Sequence, residues 1–203
     1  LEGKRLGAIA ALVEGDSLYA AAVEALRASG AEVIEITPPD ISLNGFLSVL
    51  NGDMIRDLPH YFNTAAAPEL AGMDVAGAMA FNRADSALHM PYGQARFESI
   101  VADPITEGGL DSLINVLHVE GRRFFDEPMT EYDLDAVLSI NNYHAANAAV
   151  AYYPGLTVPM GYYANGEPAG LTFFAPSHEE ERLIGLAAAY EAATKQRQAP
   201  SQP

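Results

Sequence analysis

The chain has 203 residues, of which 49% are hydrophobic and 19% charged, a composition typical of globular proteins rather than disordered ones. Its 11 Lys and Arg against 27 Asp and Glu give a formal charge of −16, which disfavours nucleic-acid and anionic-membrane partners. The chain has no Cys, which excludes disulfides, Cys-ligated zinc, iron–sulfur clusters and thiol catalysis. Neither a targeting segment nor a membrane span is predicted. The compartment stays open, with the cytoplasm favoured.

The first forty residues predict a βαβ unit. Residues 6–13 form a short apolar run that favours a buried strand ending in a turn. A helix then begins at Asp16 or Ser17, either of which is a good N-cap, and ends at Gly30. Residues 31–37 predict a second strand, and such a crossover makes the two strands parallel.

The middle of the chain predicts helices and no strand. Helical spacing extends over residues 41–58, a helix capped by Asp74 follows, another passes through Phe97 and Ile100, and a last one covers residues 111–126. We therefore expect one domain or half-domain over residues 1–203 with a helical insertion at about 41–126.

The last third predicts strands again. Residues 134–140 form a strand and residues 145–150 a helix, and Asn165-Gly166 joins strands at 156–163 and 170–174 in a hairpin. Ser177 to Glu180 match a capping box for a final helix, whose buried stripe is Leu183, Ala187 and Tyr190. The tail at about 197–203 is predicted to be disordered. The fold class is thus α/β, with a mixed sheet and flanking helices.

The common catalytic and binding motifs are missing from the sequence. There is no Gly-x-Ser-x-Gly, no Ser-x-x-Lys and no His-Glu-x-x-His, and the lysines are Lys4 and Lys195, near the two ends. His178 with the three acids after it is better explained as the solvated start of a helix than as a metal site. The turn at Gly15 holds two acids, which oppose a dinucleotide phosphate. We expect no cofactor and no metal.

One polar segment directly follows a predicted strand. Asn141, Asn142 and Tyr143 come after residues 134–140, and ligands of open α/β sheets collect at the carboxyl ends of strands. Their amides and phenol suit an uncharged polar substrate. The alternative is an Asx turn that caps the next helix.

Three segments carry a resemblance to a known family. Residues 152–161 (Tyr-Tyr-Pro-Gly-Leu-Thr-Val-Pro-Met-Gly), residues 165–171 (Asn-Gly-Glu-Pro-Ala-Gly-Leu) and residues 189–194 (Ala-Tyr-Glu-Ala-Ala-Thr) together resemble the closing stretch of amidase signature enzymes. Residues 80–83 (Ala-Phe-Asn-Arg) and 90–94 (Met-Pro-Tyr-Gly-Gln) look like the middle helices of its peptide-amidase-like branch. Residues 3–7 (Gly-Lys-Arg-Leu-Gly) look like the strand that opens the second half of the family.

The resemblance implies the C-terminal half of an amide hydrolase. Family members use two serines and a lysine from a first half that this chain does not match, so no catalytic residue carries over to any position here. The later half completes the sheet and walls the pocket, and the resemblance places Asn141, Asn142 and Tyr143 beside the substrate. The implied partners are the N-terminal catalytic half, or a second copy through the exposed interface, and a small amide substrate. The chain alone is expected to be inactive.

Two other functions stay open at this point. The chain is alternatively a stand-alone, non-catalytic binding or scaffold module, which large exposed apolar patches would argue against. A nucleotide-binding α/β domain requires the turn at Gly15 to hold phosphate.

Overall fold

The computed structural model describes residues 1–199. Residues 200–203, the end of the tail predicted to be disordered, lie outside this part. The chain divides into two compact units, one formed by residues 1–43 with 117–203 and the other by residues 44–116. The candidate site lies in the first unit, which carries the sheet.

Five strands form one mixed sheet within the described residues. They are β1 (Arg5–Ile9), β2 (Glu32–Ile36), β3 (Ala136–Ile140), β4 (Gly155–Tyr162) and β5 (Pro168–Phe174). The strand order is β2-β1-β3-β5-β4; β1 pairs in parallel with β2 and β3, whereas β5 is antiparallel to both β3 and β4. The predicted α/β class, the opening βαβ unit and the hairpin at Asn165-Gly166 are confirmed.

α-Helices account for most of the rest of the described chain, with a short 3₁₀ helix at Pro68–Leu70. They are α1 (Ala10–Gly15), α2 (Ser17–Ala28), α3 (Phe46–Thr64), α4 (Val75–Ala84), α5 (Ser86–His89), α6 (Ala95–Ala102), α7 (Glu107–Tyr132), α8 (Ala145–Ala151) and α9 (Glu180–Thr194). Asp16 and Asp74 cap α2 and α4 as predicted, each accepting a backbone N–H. Residues 41–126 hold α3 to α6 and most of α7; that they are an insertion stays a prediction. Within residues 1–199, no helix is long and apolar enough to cross a membrane.

The predicted first strand is wrong at its end. The strand stops at Ile9, and residues 10–15, expected to continue it and then turn, form helix α1. The sequence Ala-Ala-Leu-Val is apolar in either conformation, and a short apolar run does not distinguish a buried strand from a buried helix. The polar residues Glu14 and Asp16 therefore mark the end of a helix rather than of a strand.

The predicted capping box of the last helix is also wrong. The N-cap of α9 is Glu179, without a side-chain hydrogen bond, and Ser177 Oγ instead donates to the Tyr152 carbonyl at 2.6 Å. His178, at a φ of 68°, is left-handed and outside the helix. The Ser177 hydroxyl, which the local motif assigned to the helix cap, is thus hydrogen-bonded to a residue distant in the sequence. The predicted stripe of Leu183, Ala187 and Tyr190 is buried as expected.

The two faces of the sheet pack against different helices. One face, with Leu138 and Phe173, joins the core formed with α2 and α9, while the other, with Val137 and Phe174, packs with residues of α7 and α8. Tyr19 of α2 lies fully buried between strands: its hydroxyl accepts the Ile9 N–H at 3.2 Å and donates to the Leu138 carbonyl at 3.0 Å. These contacts hold together the parallel strands β1 and β3 near their carboxyl ends, and the candidate site follows the carboxyl end of β3.

Candidate substrate-binding site

Asn141 joins the end of β3 to β5. Its backbone N–H donates to the Gly170 carbonyl at 2.9 Å, and its side-chain Oδ1 accepts the Gly170 N–H at 2.7 Å. The residue has a φ of 45°, in the left-handed region that Asn tolerates better than most residues. The side chain thus extends the sheet pairing by one hydrogen bond, and its amide is held in a single orientation.

Three hydroxyl side chains cross the sheet beside Asn141. The pairings Ser139↔Thr172 and Thr157↔Thr172 place Ser139, Thr172 and Thr157 in one row over β3, β5 and β4. Thr172 Oγ1 donates to the Asn141 carbonyl at 2.5 Å and lies 2.7 Å from Thr157 Oγ1. Thr172, and Thr157 through it, are therefore linked to the residue that follows the end of β3.

A cavity of about 330 Å³ borders these polar groups, and we call it the Asn141 cavity. It is lined by Asn141, Asn142, Ala145, Ala148, Ala149, Tyr153, Gly155, Thr157, Thr172 and Phe174. Alanines of α8 form one wall, two aromatic rings another, and amides and hydroxyls the rest. An apolar cleft with a few positioned polar groups is the usual form of a small-molecule site.

Two of the three predicted binding residues line this cavity. Asn141 and Asn142 do so, whereas Tyr143 is 59% exposed and is not among the lining residues. The Asn142 side chain makes no hydrogen bond within residues 1–199, and the N-cap of α8 is His144 rather than an Asn side chain. The alternative of an Asn142 helix cap is therefore not what the structure contains. The binding role of all three residues stays a prediction.

Tyr153 is held in the cavity wall by charged neighbours. Its hydroxyl donates to Asp126 of α7, and the guanidinium carbon of Arg122 lies 5.5 Å from the centre of its ring. Burial, and then the hydrogen bond to Asp126, raise the pKa of the Tyr153 phenol to about 12. The ring is therefore a neutral, oriented surface at physiological pH.

A buried serine and an imidazole lie next to the cavity. Ser139 Oγ is 2.6 Å from His144 Nδ1, and His144 stacks on Phe124 with a centroid distance of 5.1 Å. Burial lowers the pKa of the His144 imidazole, which favours its neutral form. Such a pair has the spacing of a nucleophile and its base, but Ser139 is fully buried, so its hydroxyl is not accessible to a substrate. The pair links β3 to the N-cap residue of α8, and it is not placed to cleave a substrate bond.

Within residues 1–199, no group of three or more His, Asp or Glu residues is placed to hold a metal ion. The polar groups that border the cavity are amides and hydroxyls. The arrangement can bind and orient a neutral polar molecule by hydrogen bonds.

Known proteins of similar sequence and structure include several amidases. A probable amidase of Arabidopsis thaliana is 27% identical over 98% of this chain. Two crystal structures align over nearly the whole chain: an amidase family protein of Bacillus anthracis (26% identity, TM-score 0.88, 99% of the chain) and the peptide amidase of Stenotrophomonas maltophilia (27% identity, TM-score 0.84, 98% of the chain). The chain is a homologue of the amidase signature enzymes.

This amidase signature homologue spans less than half of its relatives. It covers 40% of the Arabidopsis protein and 40% and 45% of the two crystallised chains, and it matches their C-terminal part. A scan against models of known protein families found no match. The predicted resemblance and fold are confirmed.

Sequence reasoning missed the hydroxyls and the aromatic ring of the cavity. Thr157 and Tyr153 lie in the Tyr-Tyr-Pro-Gly-Leu-Thr-Val-Pro segment, which gave the resemblance but assigned them no role. The Asn165-Gly166 turn alone does not give their pairing. The register counted from the turn places Val158 opposite Thr172, and an irregularity between Pro159 and Gly161 shifts it by one residue, so that Thr157 lies opposite Thr172.

Proposed function

We propose that this chain forms the C-terminal part of an amide hydrolase, in which it completes the sheet and walls the substrate pocket. The observation that carries the proposal is the alignment of 98–99% of the chain with proteins named as an amidase family protein and a peptide amidase. The polar groups that line the Asn141 cavity are uncharged, and this cavity is the part of the substrate pocket that we assign to the chain.

The nucleophile and its proton shuttle are assigned to the part of the relatives that this chain does not match. Amide hydrolysis needs a reactive nucleophile, a proton carrier and an oxyanion hole, which together lower the barrier by many kcal/mol. Lys4 is engaged with Asp135 at 3.1 Å, Lys195 is the C-cap of α9, and Ser139 is buried. Groups that only line a pocket contribute orientation and specificity.

The proposed partner is accordingly the catalytic half, and a small amide is the proposed substrate. A second copy of the chain is the partner expected when that half is absent. The cytoplasmic location stays a prediction.

The test compares two forms of the protein. The product of the complete reading frame is assayed for ammonia release from a C-terminally amidated dipeptide, and the 203-residue segment is assayed in parallel. We expect turnover only when the catalytic half is present in the same chain or is added separately. Turnover by the segment alone, abolished by substitution of one of its own serines, would overturn the proposal.

A further inference from the structure

The hydrogen bonds around Asn141 decide which end of its amide faces the cavity. Oδ1 accepts the Gly170 N–H at 2.7 Å, and because that partner is a backbone donor, it fixes which amide atom is the oxygen and which is the nitrogen. Nδ2 makes no hydrogen bond within the described chain, residues 1–199, and Asn141 lines the Asn141 cavity. Asn141 therefore has a donor, Nδ2, to offer to a molecule in the cavity.

The donor and acceptor in each hydrogen bond between Asn141, Thr172 and Thr157 can be assigned as well. A carbonyl oxygen can only accept a hydrogen bond, so the Thr172 hydroxyl donates its single proton to the Asn141 carbonyl oxygen, at 2.5 Å. In the 2.7 Å contact between Thr172 and Thr157, Thr157 must then be the donor. The Thr157 hydroxyl proton is therefore donated to Thr172, and Thr157 Oγ1 can only accept a further hydrogen bond. Thr157 is exposed and lines the cavity.

Asn141 and Thr157 are neighbours that line the same cavity. A Cβ placed on Gly170 would lie 2.4 Å from Thr157 Cγ2 and 3.3 Å from Asn141 Oδ1, so both side chains flank that glycine. No larger residue fits at position 170 without displacing Thr157. The absence of a side chain at Gly170 thus allows Thr157 to pack over the backbone beside Asn141.

We propose that Asn141 and Thr157 together bind one secondary amide group of the substrate. Asn141 Nδ2 donates to the carbonyl oxygen, and Thr157 Oγ1 accepts the N–H. Tyr153 and Phe174 supply the apolar wall against which the flanking carbons of that group pack. This assignment rests on the proposed function in one respect: it takes the Asn141 cavity to be where the substrate lies.

The test measures binding rather than turnover. The product of the complete reading frame is titrated with N-methylacetamide, which has both a carbonyl and an N–H, and with N,N-dimethylacetamide, which lacks the N–H. Binding is followed by NMR through the side-chain NH₂ signal of Asn141. We expect N-methylacetamide to shift that signal saturably and to bind about threefold to tenfold more tightly, the range of one hydrogen bond. Equal affinities, or no saturable shift, would overturn the assignment.

Two near-isosteric variants separate the donor from the acceptor. Thr157→Val removes the acceptor, together with the hydrogen bond that Thr157 donates to Thr172, and should abolish the preference for N-methylacetamide. Asn141→Asp keeps an oxygen that accepts the Gly170 N–H but replaces the Nδ2 donor by a second oxygen. It should weaken the binding of both probes. The matched controls are Thr130→Val, at an exposed position of α7, and Asn165→Asp, which makes the same charge change on the hairpin turn.

The outcomes distinguish this inference from the proposed function. A preference that survives Thr157→Val overturns the inference, even if the protein hydrolyses amides. Lack of hydrolysis together with a preference lost in Thr157→Val overturns the proposed function and leaves the amide site in place.

Discussion

The Asn142 side chain borders the Asn141 cavity and makes no hydrogen bond within residues 1–199. Its removal therefore leaves no internal partner unsatisfied. We predict that Asn142→Ala in the protein from the complete reading frame changes the free energy of unfolding by less than about 0.5 kcal/mol. The ratio of kcat/KM for two different peptide amides should change by about threefold to tenfold, as expected for one substrate hydrogen bond. An unchanged ratio with a lowered melting temperature would make Asn142 a structural residue.

The buried imidazole of His144 links stability to pH. Burial lowers its pKa in the folded state, whereas in the unfolded chain it titrates near the ordinary value of about 6.5. Below that value the unfolded state binds a proton that the folded state does not, so the free energy of unfolding falls as the pH decreases. The loss begins as the pH drops through about 6.5 and ends below the lowered pKa.

Replacing His144 by Gln should remove its part of this pH dependence. We expect urea denaturation between pH 7 and about pH 5 to give a shallower decline for His144→Gln than for the wild type. Replacing His60, which is exposed, by Gln is the control and should leave the slope unchanged. A decline of equal slope in the His144 variant would show that other groups account for the pH dependence.

At the scale of the elements, Gly121 sets how closely α7 approaches α8. A Cβ at this position would lie 2.6 Å from Val150 Cγ2, 2.8 Å from the Ala151 nitrogen and 2.9 Å from the Asn147 carbonyl oxygen. Two of these atoms are backbone, which does not move aside cheaply. Because α8 forms the alanine wall of the Asn141 cavity, this approach also positions the cavity.

We predict that Gly121→Ala lowers the free energy of unfolding by about 1–3 kcal/mol, the usual cost of overpacking. The control is Gly185→Ala in α9, where nothing lies within 4 Å of the added methyl group. That change should stabilise the chain by about 0.5–1 kcal/mol, because Ala is the better helix former. Both values are measured by urea denaturation, and a neutral Gly121→Ala would contradict the close approach of the two helices.

The elements that the sequence predicts well depend on local chemistry. Asn165-Gly166 needs only its own backbone preferences to form the hairpin, and Asp74 caps α4 with an N–H three residues away. Ser177 fails as a cap because its partner, the Tyr152 carbonyl, is distant in the chain. The link between Thr157 and Thr172 likewise exists only once the strand register is known. Local rules therefore gave the elements and the end of β3, whereas the donor and acceptor pattern of the cavity required the tertiary structure.

At the scale of the whole chain, one amphipathic helix presents an apolar stripe to solvent. Leu47, Leu50, Met54 and Tyr61 of α3 are 38–55% exposed, and their spacing places them on one side of the helix. Exposed apolar surface of this kind favours self-association.

We predict that the isolated 203-residue chain self-associates at rising concentration, and that the double variant Leu50→Lys, Met54→Lys weakens this association by at least about tenfold. The weakening is expected because two charged side chains at the centre of the stripe must be desolvated when copies meet. Sedimentation velocity over a concentration series gives the dissociation constants. Leu88→Lys, a change of the same type at a residue 72% exposed on α5, is the control and should have little effect. An equal effect of both changes would mean that overall charge, and not the α3 stripe, governs association.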